Sequence, residues 1–66
     1  MELNDEQHAV LSEQMALQIK IDKLEKIVCT PLDGADKNYE HRILLAQQLI
    51  YMRGYNRVLI ERISMF

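Results

Sequence analysis

The chain has no tryptophan, one cysteine, one proline and two glycines in its 66 residues, and each scarcity removes a class of structure. A lone cysteine cannot close an intrachain disulfide, so this is not a disulfide-stapled miniprotein, and a reducing compartment is expected. So little proline and glycine leaves few of the tight turns that a β fold needs. Long apolar runs are missing too. The longest charge-free stretch, Ile43 to Met52, is interrupted by Gln47 and Gln48, whereas a bilayer span needs about 20 apolar residues. The opening Met1-Glu2-Leu3-Asn4-Asp5-Glu6 is acidic and lacks the basic-then-apolar order of a signal peptide. No membrane association is expected.

What is present is ordinary globular material, 48% hydrophobic and 27% charged, in a length that allows a single domain over residues 1–66. The net charge of −2 is unevenly spread. Glu2, Asp5, Glu6, Glu13, Asp22, Glu25, Asp33 and Asp36 precede residue 37, opposed only by Lys20, Lys23 and Lys26. Beyond it, Lys37, Arg42, Arg53, Arg57 and Arg62 face only Glu40 and Glu61. Such asymmetry fits an anion-binding second half, or two elements of opposite charge that attract each other. A protein that coats duplex nucleic acid would be far more basic overall, so that class is excluded.

Two helices and one break account for nearly the whole chain. Asn4 is a natural N-cap, Gln7 stands three residues on to complete a capping box, and Asp5 and Glu6 suit the positive end of a helix. The first helix is expected over about residues 5–28, with Val10, Leu17, Ile21, Leu24 and Val28 as its main apolar stripe and Leu11, Met15 and Ile19 on another face. It is too short and too irregular for a long coiled coil. Pro31 and Asp33-Gly34 mark a turn over residues 29–34, and a second helix follows over about residues 35–64. A connection this short makes the helices antiparallel neighbours. The expected fold is all-α, an antiparallel two-helix hairpin.

The second helix carries one stripe at Leu45, Leu49, Met52, Leu59, Ile63 and Phe66, broken by Asn56. Another runs through Leu44, Tyr51, Tyr55, Val58 and Met65, and Ile43, Ile50 and Ile60 add more. A helix that is apolar nearly all round is normally buried on more than one side, which a single partner helix cannot achieve. Self-association into a helical bundle is therefore expected, and Leu24, Leu45, Leu49 and Leu59 are the expected core.

Chemistry-bearing residues are few. His8, His41 and Cys29 have no metal-site spacing, Cys29 reads as a partly buried structural thiol, and no nucleophile, phosphate loop or carboxylate pair suggests catalysis. Neither an enzyme nor a cofactor is expected. One constellation stands out, Tyr51-Met52-Arg53-Gly54-Tyr55-Asn56-Arg57. Its two tyrosines are four apart, as are its two arginines, so each pair shares a helical face and the faces adjoin. Arginine offers a planar fork to phosphate and tyrosine a ring for a base. Arg53 and Arg57 are thus candidate phosphate ligands, Tyr51 and Tyr55 candidate stacking rings, and Asn56 a candidate for a base edge. The alternative use of the same residues is structural, with both arginines paired to acids of the first helix.

The run Lys20-Ile21-Asp22-Lys23-Leu24-Glu25-Lys26-Ile27-Val28, then Leu44-Leu45-Ala46-Gln47-Gln48-Leu49-Ile50-Tyr51-Met52 with Tyr55, Leu59, Arg62 and Ile63, resembles small bacteriophage helical-hairpin proteins related to a protein of crAss-like phages. The resemblance covers about residues 17–63, and the linker Cys29–His41 departs from the pattern. It implies a phage protein in a host bacterial cytoplasm, with no catalytic residues to carry over. Phage proteins of similar build include oligomeric sponges that sequester nucleotide signals of host immunity. By that analogy a homo-oligomer with a cyclic nucleotide ligand is expected here. A protein-interaction module that blocks a host protein, or a purely structural oligomer, would use the same helices.

Overall fold

A computed structural model describes residues 2–30 and 39–66 of the chain. They form two helices, α1 over Asp5–Cys29 and α2 over Tyr39–Ser64, with no strand among the described residues. The hairpin expected from the sequence is therefore the fold. Helix α1 begins as its first residues dictate: the Gln7 backbone N–H donates to Asn4 Oδ1 at 2.8 Å, and the Asn4 N–H donates to Gln7 Oε1 at 3.0 Å. It runs one residue past the expected end, so that Cys29 belongs to the helix and not to the turn, and its thiol is exposed where partial burial was expected. The expected turn at residues 31–34 and the expected start of the second helix at residue 35 lie outside the described residues.

The far end of α1 is closed by a residue of α2. The Arg42 guanidinium donates to the carbonyls of Ile27 at 2.9 Å and Val28 at 2.8 Å, and to that of Thr30. The Ile27 carbonyl also accepts from the Thr30 backbone N–H at 3.3 Å. The last carbonyls of a helix need partners from outside its own ladder, and a cation there suits its negative end.

The helices meet along one seam. Val10, Leu17, Ile21 and Leu24 of α1 pack with Leu49 and Leu59 of α2, and Leu59 is only 1% exposed. Val28, Leu45, Met52 and Ile63 lie half-buried against them. Leu45 thus corrects the expected core: it belongs to the seam but is only half-buried. Counting Gln14 and Asn56 into the seam makes the spacing regular. Residues 10, 14, 17, 21, 24 and 28 alternate steps of four and three, as do 45, 49, 52, 56, 59 and 63, which is the signature of a short antiparallel coiled coil. The stripe on α2 is therefore not broken at Asn56, and the irregularity assigned to α1 disappears once Gln14 is counted.

Asn56 is 8% exposed and fully partnered. Gln14 Nε2 donates to its Oδ1 at 3.2 Å, and its Nδ2 donates to Gln18 Oε1 at 2.9 Å. A polar residue inside a coiled-coil seam fixes alignment, because any slip strands its hydrogen-bonding groups away from water. Asn56→Ala is accordingly expected to lower the unfolding free energy by about 1–3 kcal/mol, the cost of leaving two part-buried amides without a partner. Urea denaturation measures it, and a change below about 0.5 kcal/mol would mean that water satisfies both glutamines.

The result is a rod of 55 × 15 × 13 Å with a radius of gyration of 15.7 Å. A compact chain of this length would have a radius near 11 Å. One seam gives little interior, and much apolar surface stays outside it. Ile43, Leu44, Ile50, Tyr51, Tyr55, Val58 and Ile60 of α2 are all exposed, as are Met15, Ile19 and Ile27 of α1.

Candidate functional site

The seam decides what the middle of α2 can offer to a ligand. Leu49, Met52, Asn56 and Leu59 turn towards α1, so the opposite arc of the helix faces outward. At about 100° per residue, Arg53 and Arg57 lie roughly 40° apart on that arc, and Tyr51 and Tyr55 lie roughly 40° apart further round. Gly54 falls midway between the two pairs. A Cβ placed on Gly54 would meet no atom within 4 Å, so no neighbour within the described structure requires a glycine there. Glycine costs a helix interior about 1 kcal/mol relative to alanine. What it leaves is a bare strip of backbone, with two guanidinium groups on one side and two phenol rings on the other.

Both tyrosines are open, Tyr51 at 76% and Tyr55 at 46% exposure. Together with Leu44, Gln48 and Met52 they line a shallow apolar groove of about 600 Å³. The arginines are positioned by carboxylates and stay accessible. Arg53 reaches across to Glu25 of α1 at 3.3 Å, and Arg57 pairs with Glu61 one turn on at 3.4 Å. Exposed pairs of this kind contribute at most about 1 kcal/mol. A phosphate can therefore displace either carboxylate, or share the guanidinium with it. The Arg53–Glu25 contact is one of the helix-to-helix pairings anticipated from the charge asymmetry, whereas Arg57 pairs within its own helix.

Asn56 stands apart from the other four candidates. It is about 160° round the helix from Gly54, and both ends of its amide are held by Gln14 and Gln18. The structure thus groups Arg53, Arg57, Tyr51 and Tyr55 around Gly54 and puts Asn56 on the seam. A second, smaller hollow is lined by Asp22, Glu25, Lys26 and Cys29. Its two carboxylates against one ammonium make it a poor receptor for an anion. Among the described residues no cluster of His, Cys, Asp and Glu is placed to hold a metal ion, and no helix is long and apolar enough to cross a membrane. Arg42 is the residue whose role the sequence did not disclose, since its contacts are with carbonyls about fourteen residues earlier.

The sequence pattern of one protein family, Sequestin, matches residues 4–65, nearly the entire chain. The chain belongs to the Sequestin family. The match takes in both helices, the seam and the arginine–tyrosine face, so membership rests on the hairpin as a whole and not on a local motif. No curated protein and no solved structure matches the chain.

Proposed function

We propose that this chain is a phage counter-defence protein that binds and withholds a nucleotide signal of host immunity without converting it, and that it works as a homo-oligomer in the host bacterial cytoplasm. The name Sequestin denotes sequestration, and that is the activity proposed here. The observation that carries the nucleotide part is the arc around Gly54, where two exposed arginines and two exposed tyrosines flank bare backbone. Guanidinium groups match phosphate oxygens, phenol rings match nucleobases, and the missing side chain lets a flat ligand come close. The oligomer is supported by the thin rod and by the uncovered apolar residues along its second helix, Leu44, Ile50, Tyr51 and Val58 among them.

The test is calorimetric titration of the purified protein with cyclic dinucleotides and cyclic ADP-ribose isomers, followed by recovery of the ligand unchanged after heat denaturation. Heat with one of them and intact recovery support sequestration. Silence with all of them removes these ligands and favours a second reading, in which the exposed apolar face of α2 covers a groove on a host protein. That reading draws on the same uncovered residues, Leu44, Ile50 and Tyr51 among them.

A further inference from the structure

With Asn56 spent on the seam, a base stacked on the tyrosines needs another side chain to hydrogen-bond its edge. The groove supplies one. Gln48 lines it together with Tyr51 and Tyr55, and Leu44 and Met52 flank it one turn to either side. Gln48 is three residues before Tyr51 and seven before Tyr55, so the three share one face of α2. Its amide is the hydrogen-bonding group set among the apolar walls, and it is exposed.

That amide is also nearly uncommitted. Five other side-chain amides of the chain are engaged: Asn4 and Gln7 in the capping box, and Gln14, Gln18 and Asn56 in the seam. Gln47 is exposed but lies outside the groove. Gln48 Nε2 donates to Met52 Sδ at 3.7 Å, and a thioether is a weak acceptor. The contact lays the amide along the groove and yields readily to a stronger acceptor. Its Oε1 has no hydrogen-bond partner among the described residues.

We propose that Gln48 is the residue that reads the base, and that the base is adenine. This rests on the nucleotide reading above. A glutamine amide presents an acceptor beside a donor in one plane, so it matches a base edge with a donor beside an acceptor. Adenine has such an edge on both sides of its amino group, N6–H with N7 and N6–H with N1. Guanine has one, N1–H with O6, while its O6 and N7 are two acceptors side by side. Adenine therefore meets Gln48 with a matching edge in either orientation on the rings. The Cβ atoms of two residues one turn apart are about 5–6 Å apart, which suits the two fused rings of a purine across Tyr51 and Tyr55. Covering the groove removes water from it, so a mismatched base leaves the amide without a partner, and that penalty sharpens the choice. Arg53 and Arg57 lie about 8 and 14 Å further along the helix axis than Gln48. Base edge and phosphate, at opposite ends of a nucleotide, are thus met at opposite ends of the arc.

Calorimetric titration with cyclic di-AMP, cyclic di-GMP and cyclic ADP-ribose, on the wild-type chain and on Gln48→Met, tests this. Methionine keeps the length and helix propensity of glutamine without its hydrogen bonds, and circular dichroism confirms the fold. The tightest ligand should carry adenine. Gln48→Met should weaken it by about 5- to 150-fold and change cyclic di-GMP little. Arg57→Ala, by contrast, should weaken every bound ligand alike, since all carry phosphate. Tightest binding of cyclic di-GMP overturns the proposal, as does an adenine ligand held equally well by Gln48→Met. An equal loss for adenine and guanine ligands also overturns it. Each of these results leaves the nucleotide reading standing, whereas silence with all three ligands overturns both.

Discussion

Truncating Leu59 to alanine is expected to cost about 2–5 kcal/mol of unfolding free energy, and Leu49→Ala nearly as much. Both side chains sit in the centre of the seam, Leu59 with 1% and Leu49 with 4% of its surface open. The loss combines the transfer of the removed methyl groups with a cavity that two rigid helices cannot collapse to fill. A chain of this size has a total stability of only about 3–10 kcal/mol, so either variant should melt near or below ambient temperature when dilute. Circular dichroism during urea titration checks it. A cost below about 1 kcal/mol at both positions would mean that the wrong stripe had been placed inside.

Arg57→Ala is expected to weaken ligand binding by about 10- to 150-fold while leaving the melting temperature nearly unchanged. A charge-assisted hydrogen bond contributes about 1.5–3 kcal/mol, which converts to that range, and an exposed ion pair contributes far less to folding. Arg57 is the better test of the two arginines. Its side chain is 82% exposed and its partner, Glu61, lies on its own helix, so removing it disturbs no contact between helices. Arg53 is tied to Glu25 across the seam, and its loss would mix binding with packing. Binding should also weaken as salt rises, since screening shortens the reach of exposed charge to about 8 Å at physiological ionic strength. Tyr55→Phe should be nearly neutral and Tyr55→Ala should not, because stacking needs the ring and not the hydroxyl. Calorimetry on the four proteins reads all of this. A structural role for Arg57 would give the reverse pattern, with stability altered and affinity untouched.

The hairpin was legible because apolar spacing and capping are local signals. Val10, Leu17, Ile21 and Leu24 announced the buried face of α1 by their spacing alone, and Asn4 with Gln7 announced its start. Asn56 was misplaced for an equally physical reason. Polarity marks a break in a stripe only if the residue has no partner, and Gln14 and Gln18, about forty residues earlier, are partners that no local pattern reveals. Its neighbours in sequence also invited grouping with Arg57 and Tyr55, although one step along a helix is about 100° around it. The arginine and tyrosine pairs were legible because four residues bring side chains back to one face. That Gly54 lies midway between them follows from the same geometry. That the space over it is empty needed coordinates.

The thinness of the rod has a consequence for how long the protein lasts. With one seam for an interior, the chain stands only a few kcal/mol above unfolding, and whatever binds the folded rod adds to that margin. A ligand at a hundred times its dissociation constant adds about 2.7 kcal/mol, a large fraction of the whole. Proteases act on the opened chain, so this margin sets the rate at which copies are destroyed. Under the proposed sequestration, empty copies would be cleared first and occupied ones would persist, so that the surviving pool would record how much ligand the host had made.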